Sequence, residues 1–181
     1  MKYETSRFMQ ANDPLTLIPR LYHFTDARNL PLIRRSQCLL PIEALRQSGV
    51  AIPAPGGNEW SHDADKRLGL DAYVHLCFRN QHPMEYQARQ DRRIVDSIFL
   101  EIAAEALKLP GVLFTPDVAN KSGIGRYTLE QARTMIDFNV LYSHTDWSDP
   151  AIQERLQLAA KYEILVPKCV PMSLIRNFPN G

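Results

Sequence analysis

The chain has 181 residues, 45% of them hydrophobic, enough to bury one substantial core and too few to suggest several domains. Its 21 Lys and Arg stand against 20 Asp and Glu, a net charge of +1, so any contact with nucleic acid must come from a local patch and not from a global cationic field. Residues 1–12 lack the apolar run of a signal peptide and no window is long and apolar enough to span a bilayer; a soluble, cytoplasmic protein is expected, one domain over residues 1–181 with a loose arm before about Pro14.

The first strand signal is the stretch Leu21-Tyr22-His23-Phe24-Thr25, apolar and aromatic, with alternation that places His23 and Thr25 on one face and Phe24 on the other. Asn29 is positioned to cap a helix that begins at Leu30 with Pro31 in its first turn. A second short helix is expected from Pro41 to Ser48, closed by Gly49. Residues 52–58, Ile-Pro-Ala-Pro-Gly-Gly-Asn, break regular structure and read as a surface loop. The polar run from Trp60 to Arg67, ended by Gly69, extends that loop. It is either a solvated connection or a lid, in which Trp60, beside His62, Lys66 and Arg67, could stack on a base or ring with phosphate contacts nearby.

Residues 73–78 have the composition of a buried strand and leave Arg79 at the strand end, where a guanidinium serves either as a phosphate clamp or as a structural rim residue. Arg89, Arg92 and Arg93 form a basic cluster, a solvated face or a contact for a nucleic-acid backbone. Strands are expected at 98–102 and 112–115, followed by a polar loop over 116–127 whose glycines match no phosphate-binding spacing. Thr128 with Gln131 has capping-box spacing, so a helix should run from Leu129 toward Asp137 with Leu129, Ala132 and Ile136 inward. Asp149-Pro150 starts the last helix, with Ile152, Leu156 and Ala159 or Ala160 as its apolar stripe. A strand follows at 162–166, ended by Pro167, and Val170, Met172, Leu174 and Ile175 suggest a terminal strand or edge.

Glu163 stands before Ile164-Leu165-Val166. A carboxylate there either faces water at an edge or points into a cleft where partners hold it. The three cysteines, Cys38, Cys77 and Cys169, are far apart in sequence and lie among apolar residues, which reads as buried structural thiols in a reducing compartment. The five histidines fit no metal-ligand spacing, so no metal is expected.

The order His23-x-Thr25 with Asn29, residues 73–78 with Arg79 and Pro83-Met84, residues 112–115 with Asn120, then Trp147 and Glu163-Ile-Leu-Val with Val170-Pro171 resembles the DarT family of DNA ADP-ribosyltransferase toxins over about Leu21 to Ile175. The resemblance implies an α+β ADP-ribosyltransferase fold, two packed, mainly antiparallel sheets with flanking helices around an NAD cleft. It implies transfer of ADP-ribose from NAD to a base of single-stranded DNA, and a macrodomain antitoxin as partner; RNA or protein as the acceptor, or a catalytically silent nucleotide-binding module, are the alternatives. It assigns His23 and Thr25 to the nicotinamide-side ribose and amide, Asn29 to a nearby NAD contact, Arg67 and Arg79 to further NAD contacts, and Glu163, with Arg79, to catalysis. Arg89, Arg92, Arg93 and Trp60 are the candidates for the DNA strand.

Overall fold

A computed structural model describes residues 18–143 and 146–179; the expected N-terminal arm and His144 lie outside them. In chain order the elements are β1 (Leu21–Asp26), α1 (Leu30–Ser36), β2 (Cys38–Leu39), α2 (Ile42–Gln47), α3 (Glu59–Leu68), β3 (Tyr73–Cys77), α4 (Pro83–Gln90), β4 (Ser97–Ile102), β5 (Leu113–Thr115), α5 (Leu129–Met135), α6 (Phe138–Tyr142), α7 (Pro150–Ala159), β6 (Glu163–Pro167) and β7 (Val170–Pro171). Five strands form one sheet in the order β4-β1-β3-β6-β5, and β2 pairs with β7 in a second, two-stranded sheet. All pairs are antiparallel. The helices flank these sheets, as an α+β fold requires.

Strand β6 explains how the sheet positions a site. Its first four residues, Glu-Ile-Leu-Val, are all buried, the signature of a strand covered on both faces. Ile164 and Val166 join the main core with Leu21, Leu76, Phe78, Leu100, Ile102 and Phe114, whereas Leu165 joins a smaller cluster with Leu70 and Ala119. Alternation puts Glu163 on the side of Leu165 and away from the main core. Ile164 and Phe114 are fully buried, each side chain stabilising the sheet by about 1.5–3 kcal/mol. Glu163 is therefore no edge residue: β6 lies between β3 and β5, and Glu163 pairs with Cys77 on one side and Thr115 on the other.

Local sequence sets the helix ends. Thr128 and Gln131 form the capping box at α5, and Asp149 accepts from the Ala151 amide at the start of α7. Ala132, Leu156 and Ala159 are buried as their spacing requires. Buried Asp26 accepts from the Arg28 guanidinium and from the Val95 and Asp96 amides, which hold its carboxyl far below the usual range and tie the entry of β4 to the end of β1.

Several expectations change. The run from Trp60 to Arg67 is not a loop but α3: Asn58 caps it by accepting from the Ser61 amide, and Gly69 closes it with a left-handed φ of 66°. Its buried residues are Ser61 and Ala64, too small and polar to print an apolar stripe. Asn29 stands at the N-cap of α1 but makes no side-chain cap hydrogen bond. The cysteine expectation is corrected as well. Antiparallel pairing of β2 with β7 places Cys38 opposite Pro171, and Cys38 forms a disulfide with Cys169 across a Cα–Cα distance of 6.0 Å, within normal disulfide reach. Cys77 alone is free and buried. The short helices α4 and α6 and the strand β2 were not expected, each being too brief to establish a period.

Candidate active site

A cavity of about 230 Å³ opens between β1, β3 and β6 on one side and α1, α2 and the 52–58 loop on the other. Its polar lining includes His23, Thr25, Asn29, Asp65, His75 and Glu163; Leu32, Ile33, Leu39, Leu45 and Ile52 make an apolar end. Strand β1 delivers His23 and Thr25, and Asn29 follows in the next turn.

Each of these side chains is held. The His23 Nδ1 lies 2.9 Å from the His75 carbonyl oxygen. A carbonyl only accepts, so Nδ1 carries the proton, and burial keeps the ring neutral by lowering its pKa. The Nε2 lone pair is then left as an acceptor. Asn29 donates to Thr25 Oγ1 at 3.0 Å and to the Ala54 carbonyl at 2.8 Å, and accepts from the Ala54 amide at 3.0 Å. Its amide thus fixes the 52–58 loop over the cavity, which is why it is not spent on capping α1. At Gly57 in this loop, a Cβ would meet the His62 ring at 2.6 Å, so glycine permits the close approach of loop and α3.

Glu163 is 5% exposed. Its Oε2 lies 2.8 Å from His75 Nδ1 and accepts from the Ala119 amide at 3.3 Å. Its Oε1 lies 3.5 Å from His82 Nε2 and has no hydrogen bond to any described residue. His82 accepts from the Met84 amide through Nδ1 at 3.3 Å, so its proton sits on Nε2, a buried atom. Burial lowers its pKa, against the pull of Glu163. For His75, burial acts against the charged ring, but the hydrogen bond and charge of Glu163, helped by Asp65, raise it to about 9. Glu163 therefore faces one imidazolium and one neutral imidazole. Asp65 completes the polar end: its Oδ1 is buried without a hydrogen bond to any described residue, and burial pushes its carboxyl up. Among the described residues no cluster of three or more His, Cys, Asp or Glu is arranged to hold a metal ion.

The structure brings His23, Thr25, Asn29 and Glu163 to one cavity and leaves the other candidates outside its lining. The Arg79 guanidinium lies over the Trp147 ring, 5.9 Å from its centroid. Arg67 is exposed in the last turn of α3, and Trp60 is 68% exposed on its first. Arg89 faces Glu85 at 3.8 Å, Arg92 is exposed with a φ of 57°, and Arg93 is engaged by Asp91 at 2.9 Å and by the Gly56 carbonyl. Sequence reasoning missed Phe24, which also lines the cavity and stacks on His82 at 5.9 Å, together with Asp65, His75 and His82. A histidine inside the apolar run 73–78 was the available signal; its partner lies 88 positions away.

Among the described residues, no helix is long and apolar enough to cross a membrane. No curated protein sequence matches the chain. Among solved structures it is similar to Thermus sp. 2.9 DarT in complex with ADP-ribosylated ssDNA, at 20% identity and a TM-score of 0.65 over 87% of this chain and 79% of that one. It is also similar to the same protein in complex with NAD+, at 20% identity and a TM-score of 0.57 over 88% and 80%. A third, Thermosipho africanus DarTG in complex with ADP-ribose, gives 18% identity and a TM-score of 0.62 over 87% of this chain and 42% of that one. These likenesses establish the fold. Residues 22–178 match the family described as DarT, ssDNA thymidine ADP-ribosyltransferase, and with that match spanning nearly all of the described sheet and the whole cavity, the chain belongs to the DarT family.

Proposed function

We propose that this chain transfers ADP-ribose from NAD to the base of a thymidine in single-stranded DNA and releases nicotinamide. The observation that carries the reading is Glu163: a carboxylate on an inner strand, held through one oxygen, with the other hydrogen-bonded to no described residue, in a cavity it shares with His23, Thr25 and Asn29. The cavity is smaller than the ~300–1,000 Å³ typical of a site enclosing a whole drug-sized ligand, so it suits the nicotinamide-ribose end of NAD while the remainder lies along the cleft. The His23 Nε2 lone pair, Thr25 and Asn29 supply acceptors and donors for a carboxamide and ribose hydroxyls. Arg67 and Arg79 are our candidates for phosphate contacts from outside the lining. Arg89, Arg92, Arg93 and Trp60 are those for the DNA strand, Arg89 and Arg92 being less engaged than Arg93.

The chemistry asks for a fixed negative charge beside the sugar. As the C1′–nicotinamide bond breaks, positive charge builds on the ribose, and Oε1 of Glu163 is placed to stabilise it. In thymidine the only ring N–H is at N3; as N3 bonds to C1′, its proton passes to the carboxylate. A base must leave its stack to react, which favours single strands. We read the chain as one transferase unit working in the cytoplasm and, as the family resemblance implies, as the target of a macrodomain antitoxin.

The test uses NAD labelled in its ADP-ribose with five acceptors: a single strand containing thymidine, the same strand without it, the duplex, RNA, and protein. Label on the thymidine-containing single strand alone is expected. Label on RNA or protein, or none on any acceptor, overturns the reading.

A further inference from the structure

Near the middle of β3, both ring nitrogens of His75 approach oxygens: Nδ1 lies 2.8 Å from Glu163 Oε2 and Nε2 lies 3.4 Å from the Leu70 carbonyl oxygen. Two acceptors require two donors, so the ring that satisfies both is the imidazolium. The titratable groups that face it come from four directions: Glu163 on β6, Asp65 on α3, His23 on β1, whose Nδ1 donates to the backbone carbonyl of His75, and His82 beyond the end of β3. Two are carboxylates and the two histidines are kept neutral by burial, so His75 carries the positive charge of this group. It shares Oε2 with the Ala119 amide, and that pair of donors fixes the carboxylate plane.

We propose that His75 is the positioning residue of Glu163, half of an ion pair that anchors Oε2 and thereby presents Oε1 to the reacting sugar. The proposal rests on the transferase reading given above. His75 touches no reacting atom in it; it acts through the glutamate. A carboxylate free to rotate would offer either oxygen in many orientations, and preorganisation of this charge is where an electrostatic site gains its rate.

Two measurements test it. In the first, the histidine rings are titrated by nuclear magnetic resonance in the wild type and in Glu163→Gln, with His75→Asn used to assign the signal. The His75 ring should keep its proton to about pH 9 in the wild type and release it about one pH unit lower or more in Glu163→Gln; an unmoved midpoint overturns the ion pair. In the second, kcat and KM for NAD are followed from about pH 6 to 10 in the wild type and in His75→Asn, which keeps a neutral donor near the Nδ1 position. We expect kcat to fall roughly ten- to hundredfold with KM within about threefold, and the wild type's alkaline limb to vanish. Equal kcat with the same alkaline limb removes the positioning role. Should His75→Asn fail to fold, His75→Gln takes its place, and the ring titration in Glu163→Gln needs only the native His75. A wild type that titrates as described yet transfers nothing defeats the transferase reading and the positioning role with it, while the ion pair stands on the titration.

Discussion

Strands β1 and β6 bring polar side chains to the same cavity, but they hold them by different means. On β1 and the turn after it, His23 leans on a backbone carbonyl, and Asn29 is bound both to Thr25 and to the Ala54 backbone. Every one of these groups is neutral. On β6, Glu163 depends on a cationic ring and a backbone amide. The first arrangement makes a fixed frame whose hydrogen bonds do not change across neutral pH; the second makes a charge whose strength depends on its partner's protonation. Binding should follow the frame and rate should follow the charge.

The largest expected effect comes from removing the charge. Glu163→Gln keeps the shape and one acceptor for His75, so the frame survives, but single-turnover transfer to thymidine-containing single-stranded DNA should fall about a hundredfold or more, on the order of 3 kcal/mol of transition-state stabilisation. NAD affinity should stay within about threefold, because the charge acts chiefly in the transition state. Comparable rates in two folded proteins would separate Glu163 from the chemistry.

Next is a break in the frame. Asn29→Ala leaves the amide and carbonyl of buried Ala54 without partners, which costs about 2 kcal/mol by the usual penalty for orphaned buried groups. Urea unfolding should show that loss, and NAD should bind more weakly as the 52–58 loop comes free, with kcat at saturation changing far less. A stability loss under about 0.5 kcal/mol would mean the loop is held by other contacts.

How much of this was legible in the sequence follows the same division. Residues 21–25, 73–78 and 162–166 declared themselves because burial demands apolar runs, and α5 and α7 because caps and stripes are local. His23, Thr25 and Glu163 stood out as polar residues where burial makes polarity costly. The His75 partnership was not legible, since nothing local links position 75 to position 163; only the β3–β6 register does, by placing His75 beside Leu165 and Cys77 beside Glu163. Helix α3 was misread for the opposite reason: its inward face is Ser61 and Ala64, and its order comes from the Asn58 cap and the Asn120 bond to Ser61 Oγ. The Cys38–Cys169 bond likewise depends on pairing across 131 residues.

A third expectation concerns pH. The folded-state pKa of His75 is raised to about 9 from an unfolded value near 6.5, so its stabilisation is full below about pH 6.5 and is lost as pH rises through about 9. Complete linkage would amount to about 3 kcal/mol, but the ring keeps 31% of its side-chain surface open, and screening reduces this to about 1–2 kcal/mol. The wild type should be more stable than Glu163→Gln at pH 7, and the gap should close by about pH 10. Tyr and Lys titrate in both proteins, so the difference isolates the pair. A gap that stays constant across this range would show that His75 is neutral in the fold.

The smallest effect is expected at Arg79, outside both the frame and the charge. Its guanidinium sits over the ring of Trp147, a residue 56% exposed, and a cation–π contact this open stabilises by about 0.5–1 kcal/mol. Any bond from Arg79 to a phosphate must first give up or share that stack, so its net contribution to NAD binding is the difference of two modest terms. Arg79→Ala should weaken NAD about threefold, near 0.6 kcal/mol. Trp147→Ala should do the reverse or nothing, because it frees the guanidinium without removing it. Arg79→Lys should behave like the alanine variant, since a point ammonium lacks the planar fork that meets a phosphate through two N–H bonds. Calorimetric titration of the three variants with NAD distinguishes the cases: weakening by both Arg79 variants but not by Trp147→Ala assigns Arg79 to the dinucleotide, and unchanged affinity in all three makes the stack a feature of the rim.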